Sequence, residues 1–173
     1  MDNPMYDFKD TTKNSDYKKW VPTSALIYDG VMFENIIEGY QTLYVEGREM
    51  ISLDFETEKK NVGIYISSQR LSERALTVHY QLTEQNPVEF QRSFKKLMRL
   101  LYKGNDVEIH FNDELDIYYY GRYSAADSVD GNAHSIVSSF TITCADPRKY
   151  SRQFETNGEI YEYLPYDAVP DSI

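Results

Sequence analysis

The run YDGVMFENIIEGYQTLYVEGRE, from Tyr28 to Glu49, carries glycines at 30, 39 and 47 with apolar residues between them. Glycine at that density interrupts a helix but suits a meander of short strands. Asp29-Gly30 favours the positive φ angles of a two-residue hairpin turn. SALIY (Ser24–Tyr28) is therefore expected to fold back on VMFENII (Val31–Ile37) as a pair of strands. Gly39 and Gly47 bracket YQTLYVE, a third strand.

The same grammar continues downstream. MISLDFETE (Met50–Glu58) reads as a further strand. KKNVGIYISSQRLSER (Lys59–Arg74) has Asn61 and Gly63 near a tip and reads as polar on both sides. Such a hairpin has little reason to pack on its own core and is expected to project as an arm. In ALTVHYQL the residues Leu76, Val78, Tyr80 and Leu82 share one face, and Thr77, His79 and Gln81 the other. VEIHF (Val107–Phe111) and LDIYYYGRY (Leu115–Tyr123) are joined through Asn112-Asp113-Glu114. In HSIVSSFTITCADP, Ile136, Phe140, Ile142 and Cys144 share a face that Ser138 interrupts, and Pro147 stops the run. Asn157-Gly158 signals a last hairpin between YSRQFET and EIYEYLPY.

One segment has helical spacing. In NPVEFQRSFKKLMRLLYKG, Asn86 is placed to cap, Pro87 fits the first helical position and Glu89 completes a box-like pair with Asn86. Phe90, Phe94, Leu97, Met98 and Leu101 form one apolar stripe. Gly104 ends a helix placed at 87–102, with Lys103 in its last turn. About ten strands and one amphipathic helix make a mainly β chain, α+β in class. A β-sandwich or curled sheet with the helix over an open face fits that count.

Composition narrows the function. The 173 residues suffice for one domain, and a single cysteine, Cys144, allows no disulfide within the chain, which fits synthesis in the cytoplasm. The first residues, MDNPMYDFKDTTKN, lack the basic-then-apolar order of a secretory signal, and no apolar run is long enough to span a bilayer. Residues 1–22 read as an arm anchored at Trp20. A net charge of −10, from 18 basic and 28 acidic residues, opposes a grip on a phosphate backbone. The 16 tyrosines suit interfaces or sugar-binding faces.

Catalytic patterns are wanting. No G-x-S-x-G, P-loop or G-x-G-x-x-G is present. Cys144 reads as a buried structural thiol. His79, His110 and His134 lie far apart, without the spacing of a metal site. Asn112–Asp116 (NDELD) lacks the glycine of a calcium loop and reads as an exposed turn. Tyr118 and Tyr120 alternate with Tyr119 across a strand, so the three cannot make one sugar platform. The chain is expected to be no enzyme, with neither cofactor nor metal; a monomeric carbohydrate-binding module is the alternative kept.

Four stretches together resemble the N-terminal domain of siphophage distal tail proteins, the hub component of tail tips and baseplates. They are PTSALIYDGVMFENIIEGYQTLYVEGRE, RLSERALTVHYQL, FQRSFKKLMRLLY followed by IHFNDELDIYYYGRY, and FTITCADPRKYS. They cover about residues 20–152, and their order and spacing are specific. The resemblance implies a β-sandwich at 23–150 with one helix and a long hairpin "belt" at about 56–74. It further implies a hexameric ring of copies around a channel that DNA passes without specific binding. The belt, with Lys59, Lys60, Ile64, Tyr65, Ile66, Arg70 and Arg74 at the inter-subunit interface, would fasten one copy to the next. The ring would join the tail tube protein to the tail-associated tip protein, near the tape-measure protein, in the virion and away from any membrane. Many relatives carry a second, C-terminal β-domain; here it is expected to be absent, residues 151–173 forming a terminal hairpin or linker.

Overall fold

The computed structural model describes residues 20–49 and 51–151, together with the backbone of Leu164–Pro165. The expected hairpin at Asn157-Gly158 and most of the expected N-terminal arm lie outside them. Trp20 is within them and is 68% exposed. Most of the residue expected to anchor the arm is thus open to solvent.

The Asp29-Gly30 turn forms as expected. Both residues have positive φ, 54° and 75°, and they join β1 (Leu26–Tyr28) to β2 (Val31–Met32) with Tyr28 opposite Val31. The strand then breaks sooner than the sequence suggested. Phe33–Ile36 is a single helical turn, α1. Phe33 and Ile37, four apart, both enter the core while Ile36 stays outside. Glu34 turns inward too, and its Oε1 accepts the backbone N–H of Thr42 at 2.9 Å. Thr42 adjoins a β-bulge in β3 (Tyr40–Glu46). A buried carboxylate thus meets a buried backbone donor on the outer side of an edge strand.

Gly39 and Gly47 flank β3 for a steric reason. A Cβ on Gly39 would lie 2.0 Å from the carbonyl oxygen of Thr83, and one on Gly47 the same distance from that of Ala75. Both carbonyls belong to β6 (Arg74–Thr83), the strand paired with β3. The helix α2 runs Pro87–Leu101, and the Asn86 side chain accepts from the Glu89 N–H at 2.9 Å. Phe90, Leu97 and Leu101 are fully buried; Phe94 and Met98 are half-buried against the same core.

After α2 come β7 (Val107–Phe111), β8 (Glu114–Ala126) and β9 (Ser135–Cys144). All pairings are antiparallel, and the main sheet runs β2-β1-β7-β8-β9-β6-β3. The long strand β8 serves both halves: its first part pairs with β7 through Gly121, its second with β9 from Arg122 onward. Gly121 marks the crossing, where a Cβ would sit 2.7 Å from the Cys144 sulfur. Strands from both halves and α2 line one core, the curled sandwich the pattern called for.

That core is aromatic. Tyr28, Phe33, Tyr40, Tyr80 and Phe140 form a chain of rings with centroids 5.4–6.1 Å apart. Tyr28, Tyr40, Tyr80, Tyr118 and Tyr119 are all fully buried. Much of the tyrosine richness is thus interior. Cys144 lies among them, and burial pushes its thiol up to about 12.

Candidate functional site

Two strands stand apart from this body. Among the described residues, β4 (Leu53–Lys59) and β5 (Ile64–Leu71) pair only with each other, and every residue of both is exposed. Gly63 turns the tip with φ 75°, and the Lys60 N–H reaches the Gly63 carbonyl at 3.2 Å. The further strand expected at MISLDFETE thus forms from Leu53 onward, as one arm of this ribbon. The ribbon spans Leu53–Leu71, against an expected 56–74.

Pairing partners in a ladder share a face. Leu53 pairs with Leu71, Phe55 with Gln69, Thr57 with Ile66 and Lys59 with Ile64. Leu53, Phe55, Ile64, Ile66 and Leu71 thus lie on one side, each between 42% and 64% exposed. The opposite side carries Asp54, Glu56 and Glu58 from β4, with Arg70, Ser68 and Tyr65 facing them from β5. There Arg70 pairs with Asp54 at 3.2 Å and Ser68 Oγ donates to Glu56 at 2.8 Å. Lys60 sits 4.6 Å over the Tyr65 ring. The ribbon is two-faced, not polar on both sides. The reason is a bulge at Ser67, between the pairs Glu56–Ser68 and Thr57–Ile66. It shifts β5 by one residue, so even-numbered Ile64 and Ile66 join odd-numbered Leu71 on one face.

At the root, Arg74 departs from its expected place on the arm. It begins β6 and is 4% exposed. Its Nε donates to the Pro147 carbonyl at 2.7 Å, and its Nη1 to those of Gly47 and Arg48 at 2.8 and 3.2 Å. Arg48 in turn holds Asp113 and Glu114 at 2.8 and 3.0 Å, with its guanidinium 4.3 Å over Phe111. The Ser72 N–H bonds the Ser52 carbonyl at 3.0 Å and closes the ribbon's base. Asp113 and Glu114 of NDELD therefore brace this joint. Sequence reasoning missed it, since its members come from positions 47 to 147; each motif held a piece without naming the partner.

Beside the joint, Asp146 binds Arg148 at 2.8 Å and accepts from the Tyr150 hydroxyl. The Arg148 guanidinium holds the Asp146 carboxyl down at about 2. Tyr150, in β10 (Tyr150–Ser151), stacks on Tyr118. β10 also pairs with β8 and with β11 (Leu164–Pro165). Tyr118 and Tyr119 are buried on opposite sides of β8, and of the three neighbours only Tyr120 reaches solvent, so the three do not share one face. The histidines are dispersed: His79 stacks on Tyr44 at 4.2 Å, and His110 lies between the Ile117 carbonyl and Glu108.

No family model matches the chain. It is 30% identical over 140 residues to the distal tail protein of Bacillus phage SPP1, a stretch covering 77% of this chain and 53% of that protein. The chain thus spans about half the length of the curated relative it matches. The crystal structure of the SPP1 Dit protein, described as a paradigm of hub adsorption apparatus in phages infecting Gram-positive hosts, superposes with a TM-score of 0.65 and 28% identity, covering 73% of this chain and 51% of that one. The phage p2 baseplate in its activated conformation shares the fold alone, with a TM-score of 0.51 at 8% identity over 66% of this chain and 39% of that one. Sequence and fold together make the chain a member of the siphophage distal tail protein family.

Proposed function

We propose that the chain is a structural subunit of a phage tail tip or baseplate, and that it acts by assembly rather than catalysis. Copies form a hexameric ring in which the ribbon of each engages a neighbour, leaving a channel through which DNA passes unbound. The ring joins the tail tube to the tail-associated tip protein near the tape-measure protein, and its place is the virion.

The observation that carries this reading is the ribbon itself. A two-stranded sheet alone in water is marginal, and both its outer edges are unpaired. Leaving five large apolar side chains in solvent forgoes a substantial part of the roughly 1.5–3 kcal/mol each gains on full burial. A second surface that covers the ribbon removes these costs. The SPP1 Dit protein is described as part of a hub adsorption apparatus, and in our reading the covering surface is another copy of the chain. Lys59, Ile64 and Ile66 then lie on the apolar side of the contact, and Lys60, Tyr65 and Arg70 at its tip or charged side.

Sedimentation velocity tests this directly. The chain is expected to form a discrete closed oligomer, and a variant with residues 53–71 replaced by a short turn is expected to be a folded monomer. Oligomers that persist without the ribbon contradict the reading.

A further inference from the structure

A slip between β7 and β8 takes one backbone carbonyl away from its regular strand partner. Along β7 the backbone groups of even-numbered residues serve β1: Asp29 N–H donates to the Glu108 carbonyl and Asn112 N–H to that of Ala25, both at 3.0 Å. Those of odd-numbered residues face β8. Ile109 pairs there with Tyr119, so regular pairing would set Phe111 opposite Ile117. Phe111 pairs instead with Glu114. The slip carries the Phe111 N–H away from the Ile117 carbonyl, and the His110 ring takes its place, with Nδ1 3.0 Å from that oxygen. A carbonyl only accepts, so Nδ1 donates. Glu108, 2.5 Å from Nε2, fixes the ring from the other side.

This prop stands beside the docking place of β10. On its other edge β8 pairs with β10, Tyr118 opposite Tyr150 and Ile117 opposite Ser151. The rings follow the same line: His110 packs on Tyr118 at 5.6 Å, and Tyr118 stacks on Tyr150 at 5.5 Å. β10 has two residues, and so short a strand opens at small cost unless it is braced. The loop at 145–149 that leads into it is tied at two points. Asp146 holds Arg148 and accepts from the Tyr150 hydroxyl. The buried Pro147 gives its carbonyl to Arg74 Nε at 2.7 Å. Arg74 is the side chain that fixes the ribbon's root through the Gly47 and Arg48 carbonyls. An unbroken line of contacts thus runs from His110 through β10 to the base of the ribbon.

We propose that β10 is a latch on the ribbon's direction, with His110 as the residue that positions it. While β10 lies on β8, the loop at 145–149 holds the Pro147 carbonyl within reach of Arg74, and the ribbon points one way. When β10 lifts, that loop loses its far anchor, Arg74 loses one of its three carbonyls, and the ribbon swings over a wider arc. The coupling is reciprocal. A partner that seats the ribbon steadies β10, and one that draws β10 off β8 loosens the ribbon. The latch is a property of the single chain and does not depend on the ring.

Two variants separate the donor from the ring. His110→Asn sets an amide N–H where Nδ1 stood but gives up the ring; His110→Phe keeps a ring and gives up the donor. Hydrogen exchange at the amide of Tyr150, which lies opposite Tyr118, reports on β10. Nitroxides at Val62→Cys, on the ribbon's tip, and Tyr102→Cys, the C-cap of α2, report on the ribbon's direction by double electron–electron resonance. Both sites are open to solvent, the native Cys144 is buried, and labelled chain is diluted in unlabelled chain. In His110→Phe the Tyr150 amide is expected to exchange about tenfold faster and the distance distribution to widen about twofold, with both near wild type in His110→Asn. Faster exchange with an unchanged distribution overturns the latch. Equal behaviour of the two variants overturns the part given to His110. Tyr150 lies outside the apolar core, so Tyr150→Ala strips β10 of its stack and its bond to Asp146 and leaves the sandwich folded. It is expected to widen the distribution in the same way, and a narrow distribution there overturns the latch whatever the His110 variants do.

Discussion

Arg74 and Gly47 are separated by 27 residues of chain and joined by a hydrogen bond of 2.8 Å, from the guanidinium Nη1 to the glycine carbonyl. Between them lies the whole ribbon. The same guanidinium holds the Arg48 and Pro147 carbonyls, so one buried side chain ties the strand that enters the ribbon, the strand that leaves it and a distant loop. A projecting arm needs a defined direction if copies are to meet in register, and this joint supplies it.

Replacing Arg74 with Met removes the donors from buried carbonyls. The expected cost is about 3 kcal/mol in the urea-unfolding free energy, given charge-assisted bonds and the desolvated acceptors left behind. Arg74→Lys is expected to fall between the two, because an ammonium cannot span three carbonyls in the guanidinium's plane.

Gly47 and Gly30 separate two uses of glycine. Both have positive φ, but only Gly47 faces a carbonyl where its Cβ would be. Gly30→Ala is expected to cost about 1–2 kcal/mol, the strain of a left-handed backbone alone. Gly47→Ala adds a clash with β6 and is expected to cost at least about 3 kcal/mol. Thermal denaturation of both variants reads the difference.

The helix seals the core mainly through its fully buried positions. Leu97→Ala is expected to cost about 2–5 kcal/mol and Phe94→Ala less, because the Phe94 side chain is only partly buried. Equal losses would mean that α2 sits deeper than its exposure indicates.

Acid acts on the loop beside the joint. The Asp146 carboxyl is lowered from 3.8 to about 2, chiefly by its bond to Arg148. A depressed folded value means that its stabilisation is complete above the unfolded value and is lost as pH falls through the folded one. The urea midpoint is therefore expected to decline between about pH 4 and pH 2, and Asp146→Asn to flatten that decline.

The sequence was most legible where the signal is local. The Asp29-Gly30 turn, the Asn86 cap and the alternation from Leu76 to Leu82 each depend on neighbours a few residues apart. It was least legible where a residue's partner is remote. The turn at Phe33–Ile36 owes its buried Glu34 to an N–H on β3. The apolar face of the ribbon was hidden because the bulge at Ser67 breaks the parity on which a reading by alternation depends. Arg74 looked like one more cation of a charged arm, since nothing in its neighbourhood announces the Pro147 carbonyl.

The central claim is that the ribbon's apolar face is covered by another copy of the molecule. Replacing Ile66 with a photo-crosslinking benzoylphenylalanine and mapping the adducts by mass spectrometry tests it most directly. The account expects adducts between chains, accumulating as dimers and higher multiples up to a closed ring. Adducts confined to the parent chain, formed equally well at dilutions where the protein is monomeric, would contradict it.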